Sequence, residues 1–302
     1  MFLNIFEGVT VRKNKFFIVL LFGIALLSAC VPGDEDASNV VASLDHIEIS
    51  PIDGREMVFI PAGEFVMGTD RVDEEKMHLK IGAVKPLFLD QHPERTVQLD
   101  AFYIDRYEVT NAEYKRFIDD SGYNDLPANW VDGVFPEGKE NYPVTHITWD
   151  EALTYALWAG KRLPSEAQWE KAARGDKGGL YPWGNEYVKG YANVNLDGSR
   201  ELAPIGSYPK DKSPYGVFDM GGNVMEWTRN WYKAYPGNTR KDNRFGEKFK
   251  ALRGGAFQRA GHYFLDAYLF SFARTEADPD GYYENVGFRC VKELPEKIKK
   301  ES

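Results

Sequence analysis

The stretch Tyr215–Trp227, YGVFDMGGNVMEW, sets Gly216, Gly221 and Gly222 beside three oxygen-bearing side chains, Asp219, Asn223 and Glu226, and closes on Trp227. Glycines let the backbone turn tightly and present its carbonyls. Carbonyl oxygens mixed with one or two carboxylates suit a hard cation such as calcium, and the stretch has no thiolate or imidazole for a softer metal. The same residue types also build ordinary Asx turns, so composition alone leaves a cation site and an ion-free turn both open.

Outward from this stretch lie GREMVFIPAGEFVMGT (54–69), HPERTVQLDAFYIDRYEVTNAEYKRF (92–117), YPVTHITWDEALTYALWAGKRLPSEAQWEKAARG (142–175), YPWGNEY (181–187), LRGGAF (252–257) and NVGFRC (285–290). In that order these segments resemble the formylglycine-generating enzyme family, also called the sulfatase-modifying factor domain, from Gly54 to Lys292. The resemblance implies a single-domain, compact α+β fold of low regularity, related to C-type lectins. It also implies two structural calcium ions. One maps onto Asn193, the Val194 carbonyl, Asp197 and the Ser199 carbonyl; the other maps onto Asp219, the carbonyls of Gly222 and Val224, and Glu226. Asp219 stands where the family often has Asn, which keeps the oxygen and adds charge.

The family's chemistry is where the resemblance breaks. Formylglycine-generating enzymes bind copper(I) through two cysteines just after the RGG motif, because a soft ion takes soft thiolates. Here RGGAFQRAGHYFLDAYLFSFARTEA contains no cysteine, and the two places fall on Arg259 and Phe264. Copper is therefore not expected. Iron is the alternative, with His262, Tyr263, Asp266 and Arg259 in the altered segment as its support, and His262 as the candidate catalytic residue. The other histidines, His46, His78, His92 and His146, are scattered without ligand spacing. Arg253 and Arg289 read as buried cations that anchor acids. No GxSxG elbow, Walker loop, HExxH or Rossmann fingerprint is present.

Of the chain's two cysteines, Cys30 ends the run Leu27, Ser28, Ala29, Cys30, behind Arg12, Lys13, Lys15 and a mostly apolar Phe16–Ala29 segment. That is the pattern of a bacterial lipoprotein signal peptide (1–29), too short to span a bilayer, which takes roughly 20 residues. Cys30 is the expected lipid attachment site, and the protein is expected in the bacterial cell envelope, facing periplasm or exterior. Residues 30–53, with Pro32, Gly33 and three acids, are expected to form a flexible tether. The domain follows at 54–293 and a charged tail at 294–302. Cys290 is left without an intramolecular partner and reads as a buried, inert thiol.

Removing residues 1–29 moves the net charge from −9 to −11. Such an acidic chain does not hold nucleic acid by phosphate neutralisation. Met57–Ile60 and Phe65–Met67 around Pro61, Ala62 and Gly63 suggest a hairpin, and Val97–Val109 a strand with one wet face. Three capping boxes, Thr110 with Glu113, Thr148 with Glu151 and Ser165 with Gln168, predict three helices ending at Gly122, Gly160 and Gly175. Six of the seven tryptophans lie between Trp149 and Trp231, where periodicity fades, so large rings are expected to hold that half together. Three functional classes stay open: an envelope module recognising a protein or glycan, an iron oxidase-like enzyme, and formylglycine generation, against which the missing cysteines argue.

Overall fold

The computed structural model describes residues 46–74, 76–80, 86–194, 201–257 and 269–294, all within one compact unit. The leader, Cys30, the charged tail and the candidates Asp197, Ser199, Arg259, His262, Tyr263, Phe264 and Asp266 lie outside the described residues.

Among the described residues, two four-stranded sheets and a two-stranded ribbon carry the fold. In the first sheet β1 (Ile47–Ile49), β2 (Glu56–Ile60), β5 (Phe102–Asp105) and β10 (Val291–Glu293) run side by side, all antiparallel. The ribbon joins β3 (Gly63–Met67) to β4 (Arg95–Leu99). The second sheet has the order β8 (Arg274–Ala277), β7 (Lys250–Arg253), β6 (Met225–Trp231), β9 (Val286–Gly287), with β9 parallel to β6.

Two strand expectations need correction. β2 and β3 do not form a hairpin, because Pro61 and Ala62 carry the chain from the first sheet into the ribbon, where β4 is the partner of β3. Val97–Val109 is not one strand: the chain breaks at Asp100 and Ala101, and β5 beyond the break is buried at all four positions instead of alternating. The fold also begins before Gly54, since Ile47–Ile49 pair with Glu56–Val58, so the end of the expected tether belongs to the sheet.

The helices α1 (Met77–Lys80), α2 (Asn111–Ser121), α3 (Trp149–Trp158) and α4 (Glu166–Arg174) include all three expected ones, each of the latter with its capping box closed in both directions. Tyr114 and Phe117 of α2 meet Tyr155 and Trp158 of α3 ring against ring. Phe288 packs edge-on against Tyr114 and Tyr155, tying both helices to the segment between β9 and β10. Trp169 and Trp227 are fully buried, as core tryptophans should be. Trp149 and Trp231 clasp Lys250, whose Nζ lies 3.5 Å and 3.7 Å from their ring centroids. This clasp staples the first residue of α3 to the β6–β7 pair.

Candidate functional site

Glycines pull three backbone segments together beneath the quoted stretch. A Cβ at Gly222 would lie 2.7 Å from the Asn193 carbonyl oxygen, and one at Gly255 would lie 2.6 Å from that of Gly221. Only glycine permits such approaches. The turn of LRGGAF is thereby pressed onto the GG pair, and the GG pair onto the YANV segment. Asp219 and Asn223 flank the pair at φ 58° and 73°, a left-handed conformation that Asn and Asp tolerate better than other side chains.

The described residues of the two expected cation sets, Asn193 and Val194 on one side and Asp219 to Glu226 on the other, thus lie against each other. Asn193 and Val194 are buried, and Asn193 Nδ2 donates to Asn223 Oδ1 at 2.9 Å and to the Glu201 carbonyl at 3.1 Å. Asn223 Nδ2 in turn donates to Glu108 Oε1 at 3.2 Å and to the Ala203 carbonyl at 3.3 Å. Asp219 Oδ2 accepts from the Gly206 amide at 2.6 Å. Asp211 accepts from the Gly221 amide on both oxygens, at 2.9 and 3.0 Å, and so caps the turn.

Glu226, expected as a cation ligand, is here the counter-ion of Arg289. Its Oε1 accepts from Arg289 Nη2, and its Oε2 from Arg289 Nε and Trp169 Nε1, each at 2.8 Å. Arg289 spends its remaining donors on the carbonyls of Asp105, Arg106 and Phe218. A cation here would have to share Glu226 with that guanidinium.

Four buried carboxylates, Glu108, Asp211, Asp219 and Glu226, converge on this region, and Arg289 is the cation that faces all of them. Burial, then the neighbouring Asp219, pushes the Glu108 carboxyl well above the usual range, and burial followed by Asp219 does the same to Asp211. Burial raises Asp219 to about 6 against its hydrogen bond from Gly206. Glu108 Oε2 is buried away from any nitrogen donor, and the Glu108 carboxyl instead shares a hydrogen bond with Asp219. Four acids facing one guanidinium therefore relieve their crowding by holding protons more tightly than free carboxyls do. Among the described residues no three His, Cys, Asp or Glu side chains form a metal-ligand set. A cation held here must draw on amide and carbonyl oxygens as well as Asp219, which is the donor profile that fits calcium.

Glu108 was missed at the sequence level. Its signal is an acid set between Tyr107 and Val109, three residues past the end of β5 and two before the cap of α2.

Arg253, like Arg289, is a buried cation that anchors acids. Arg253 of LRGGAF donates to Glu170 Oε2 at 2.6 Å and to the Ser271 carbonyl at 2.8 Å, and pairs with Glu166 at 3.3 Å. Arg274 meets Glu166 Oε1 at 2.7 Å. Cys290 is wholly buried, and burial followed by Asp105 pushes its thiol well above the ordinary range. Of the described histidines, His78 pairs with Asp73 at 2.5 Å and His92 with Asp70 at 3.1 Å. His146 meets Thr145 at 3.1 Å and, half-buried, is pushed down by desolvation. They do not come together.

Residues 45–294 match the Sulfatase-modifying factor enzyme 1-like domain. The chain belongs to this family. It is 32% identical to the formylglycine-generating enzyme of Bos taurus, over 78% of this chain and 74% of that one. It is 28% identical to the inactive C-alpha-formylglycine-generating enzyme 2 of Mus musculus, over 82% and 89%. The structure of PvdO from Pseudomonas aeruginosa superposes with a TM-score of 0.63 at 26% identity, covering 82% of this chain and 98% of that one. The family thus embraces both active and inactive members, and the sheet-rich single-domain architecture is common ground.

Proposed function

We propose that this member of the family is a membrane-anchored envelope lipoprotein whose domain serves as a non-catalytic binding or assembly module stabilised by calcium. The observation that carries the reading is the state of the thiols. Cys290 is the one cysteine within the domain, and it is sealed in the core with its Sγ held protonated. The segment after Arg253 offers no other thiol, so copper(I) lacks the soft ligands that the resemblance requires. Cys30 is the proposed lipid attachment point, which ties the domain to a membrane. No helix among the described residues is long and apolar enough to cross one.

Calcium, when bound, supplies fixed positive charge and holds the YANV and GGNVMEW segments together; the residues that would hold it are Asp219, Gly222, Val224 and Glu226, with Asn193 and Val194 next to them. An ion that binds only the folded state stabilises it by about 2.7 kcal/mol at a hundredfold excess over its dissociation constant. The partner would be an envelope protein or glycan.

The test is metal analysis of the purified chain together with an assay on a cysteine-containing sulfatase peptide in the presence of copper and oxygen. Calcium in the protein, no stoichiometric iron and no formylglycine in the peptide is the expected result. Iron at one ion per chain would make it an oxidase-like enzyme, and an aldehyde at the peptide cysteine would restore the family's activity.

A further inference from the structure

We propose that the end of the domain formed by Ile49, Ile52, Leu157 and Trp158 rests on a lipid bilayer surface, an inference that builds on the lipid anchor proposed above. Ile49 and Ile52 lie where β1 turns towards β2, and they are 58% and 45% exposed. Leu157, in the last turn of α3, is 55% exposed, and Trp158 beside it is half-buried. Two contacts join the turn to the helix. Ile52 Cδ1 lies 3.1 Å from the place a Cβ on Gly160 would take, just past the end of α3. Arg116 of α2 donates to the Ile52 carbonyl and sets its guanidinium carbon 5.8 Å from the Trp158 ring centroid. The four apolar side chains therefore belong to one end of the molecule, not to scattered loops.

What covers them follows from where the chain enters the domain. The carbonyl of His46 accepts from the Phe59 amide at 2.9 Å, and β1 carries the chain from there to Ile49. At about 3.4 Å per strand residue that is roughly 10 Å. Sixteen positions separate Cys30 from His46. As a flexible tether they span about 20–25 Å on average, and at most about 60 Å fully drawn out. A lipid on Cys30 thus keeps this end of the domain near the bilayer at an effective concentration of order millimolar, where even a weak apolar contact is populated. Charge selects the kind of surface. With residues 1–29 removed the chain carries −11, so an anionic surface repels it. The nearby cations of α2 are cancelled in pairs, Arg116 by Asp120 at 3.7 Å and Lys115 by Asp119 at 2.5 Å. An apolar patch with a neutral rim suits zwitterionic headgroups, with the Trp158 indole at the interface.

The test places the full chain, purified with its lipid, on phosphatidylcholine vesicles. Cys290 is buried and Cys30 is taken up by the lipid, so a nitroxide label attaches to a cysteine introduced by Leu157→Cys. Tyr282→Cys is the control: Tyr282 is 52% exposed, and its loop meets the other end of α3, where the Trp149 amide donates to the Pro279 carbonyl at 2.9 Å. About 12 Å of helix lies between Trp149 and Leu157. Access of a water-soluble nickel relaxant to the Leu157 label should fall at least about threefold on vesicles, relative to the same label in a Cys30→Ala chain free of lipid, with the Tyr282 label unchanged. A chain that does not float with the vesicles would overturn the lipoprotein reading itself. A chain that floats while its Leu157 label stays as wet as in Cys30→Ala, or with both labels equally shielded, would overturn this inference alone. Dipolar broadening between Leu157 labels would mean that a second copy covers the face, and would also overturn it. Should Leu157→Cys fail to fold, Ile52→Cys carries the label, with the same outcomes.

Discussion

Single buried charges decide how this site behaves. Arg289 neutralises Glu226 and faces three further carboxylates, so Arg289→Met should leave them uncompensated and cost about 3–5 kcal/mol, the range for stripping one partner from a buried pair. Urea melts of the two proteins measure it; a loss under about 1 kcal/mol would mean that water reaches the cluster. The role of Arg289 as an acid's anchor was legible because an arginine between two apolar residues, Phe288 and Cys290, has to be paired to be buried. Its partner was not legible, since Glu226 looked equally suited to a metal and nothing local distinguishes the two uses. The thiol at Cys290 gives a second expectation. In a Cys30→Ala background the native protein should resist alkylation by iodoacetamide and react after unfolding, as mass spectrometry would show; rapid labelling of the folded chain would contradict the burial.

Helices and strands differ in how far their residues announce them. The capping boxes are local, with partners three residues apart, and all three could be read directly. Strand pairing is not local: β5 takes β2 and β10 as neighbours across long stretches of chain, and four short strands between Met225 and Gly287 carry too few residues for a period to show. Thr148→Ala should therefore cost about 1 kcal/mol by removing the cap of α3, measurable as a lower denaturation midpoint. The clasp on Lys250 adds a pH term at the same end of α3. Burial lowers its ammonium to about 8, against support from Asp150 and Glu247 and repulsion from Lys233. A base whose folded pKa is depressed costs stability below that value, and the cost fades as pH climbs towards the unfolded value of about 10.4. Wild type should thus gain more stability between pH 8 and pH 10 than Lys250→Met; equal gains in paired melts would show that the indoles hold the charge without penalty.

At the scale of the whole molecule, the acidic net charge and the single domain followed from composition and length, and the family from motifs spread along the chain. What those motifs did not reveal is which segments meet. Glu108 reaches Asn223 beside the GG pair only because the segment after β5 and the turn before β6 are folded against each other, a fact of topology and not of spacing. If the lipid anchor is as proposed, Cys30→Ala should move the protein from the membrane pellet to the soluble fraction; unchanged pelleting would remove the anchor.

The first sheet holds one more consequence, which concerns time. Its opening strand is Ile47–Ile49 and its closing strand Val291–Glu293, with β2 and β5 between them. A chain emerging N-terminus first exposes one flank of β5 until Val291–Glu293 have been made. Arg289, delivered just ahead of that last strand, arrives equally late, so the acids it neutralises wait unpaired through synthesis. Termination ahead of Arg289 would withdraw both the strand and the counter-charge, and such a product should be degraded instead of accumulating as a shorter protein.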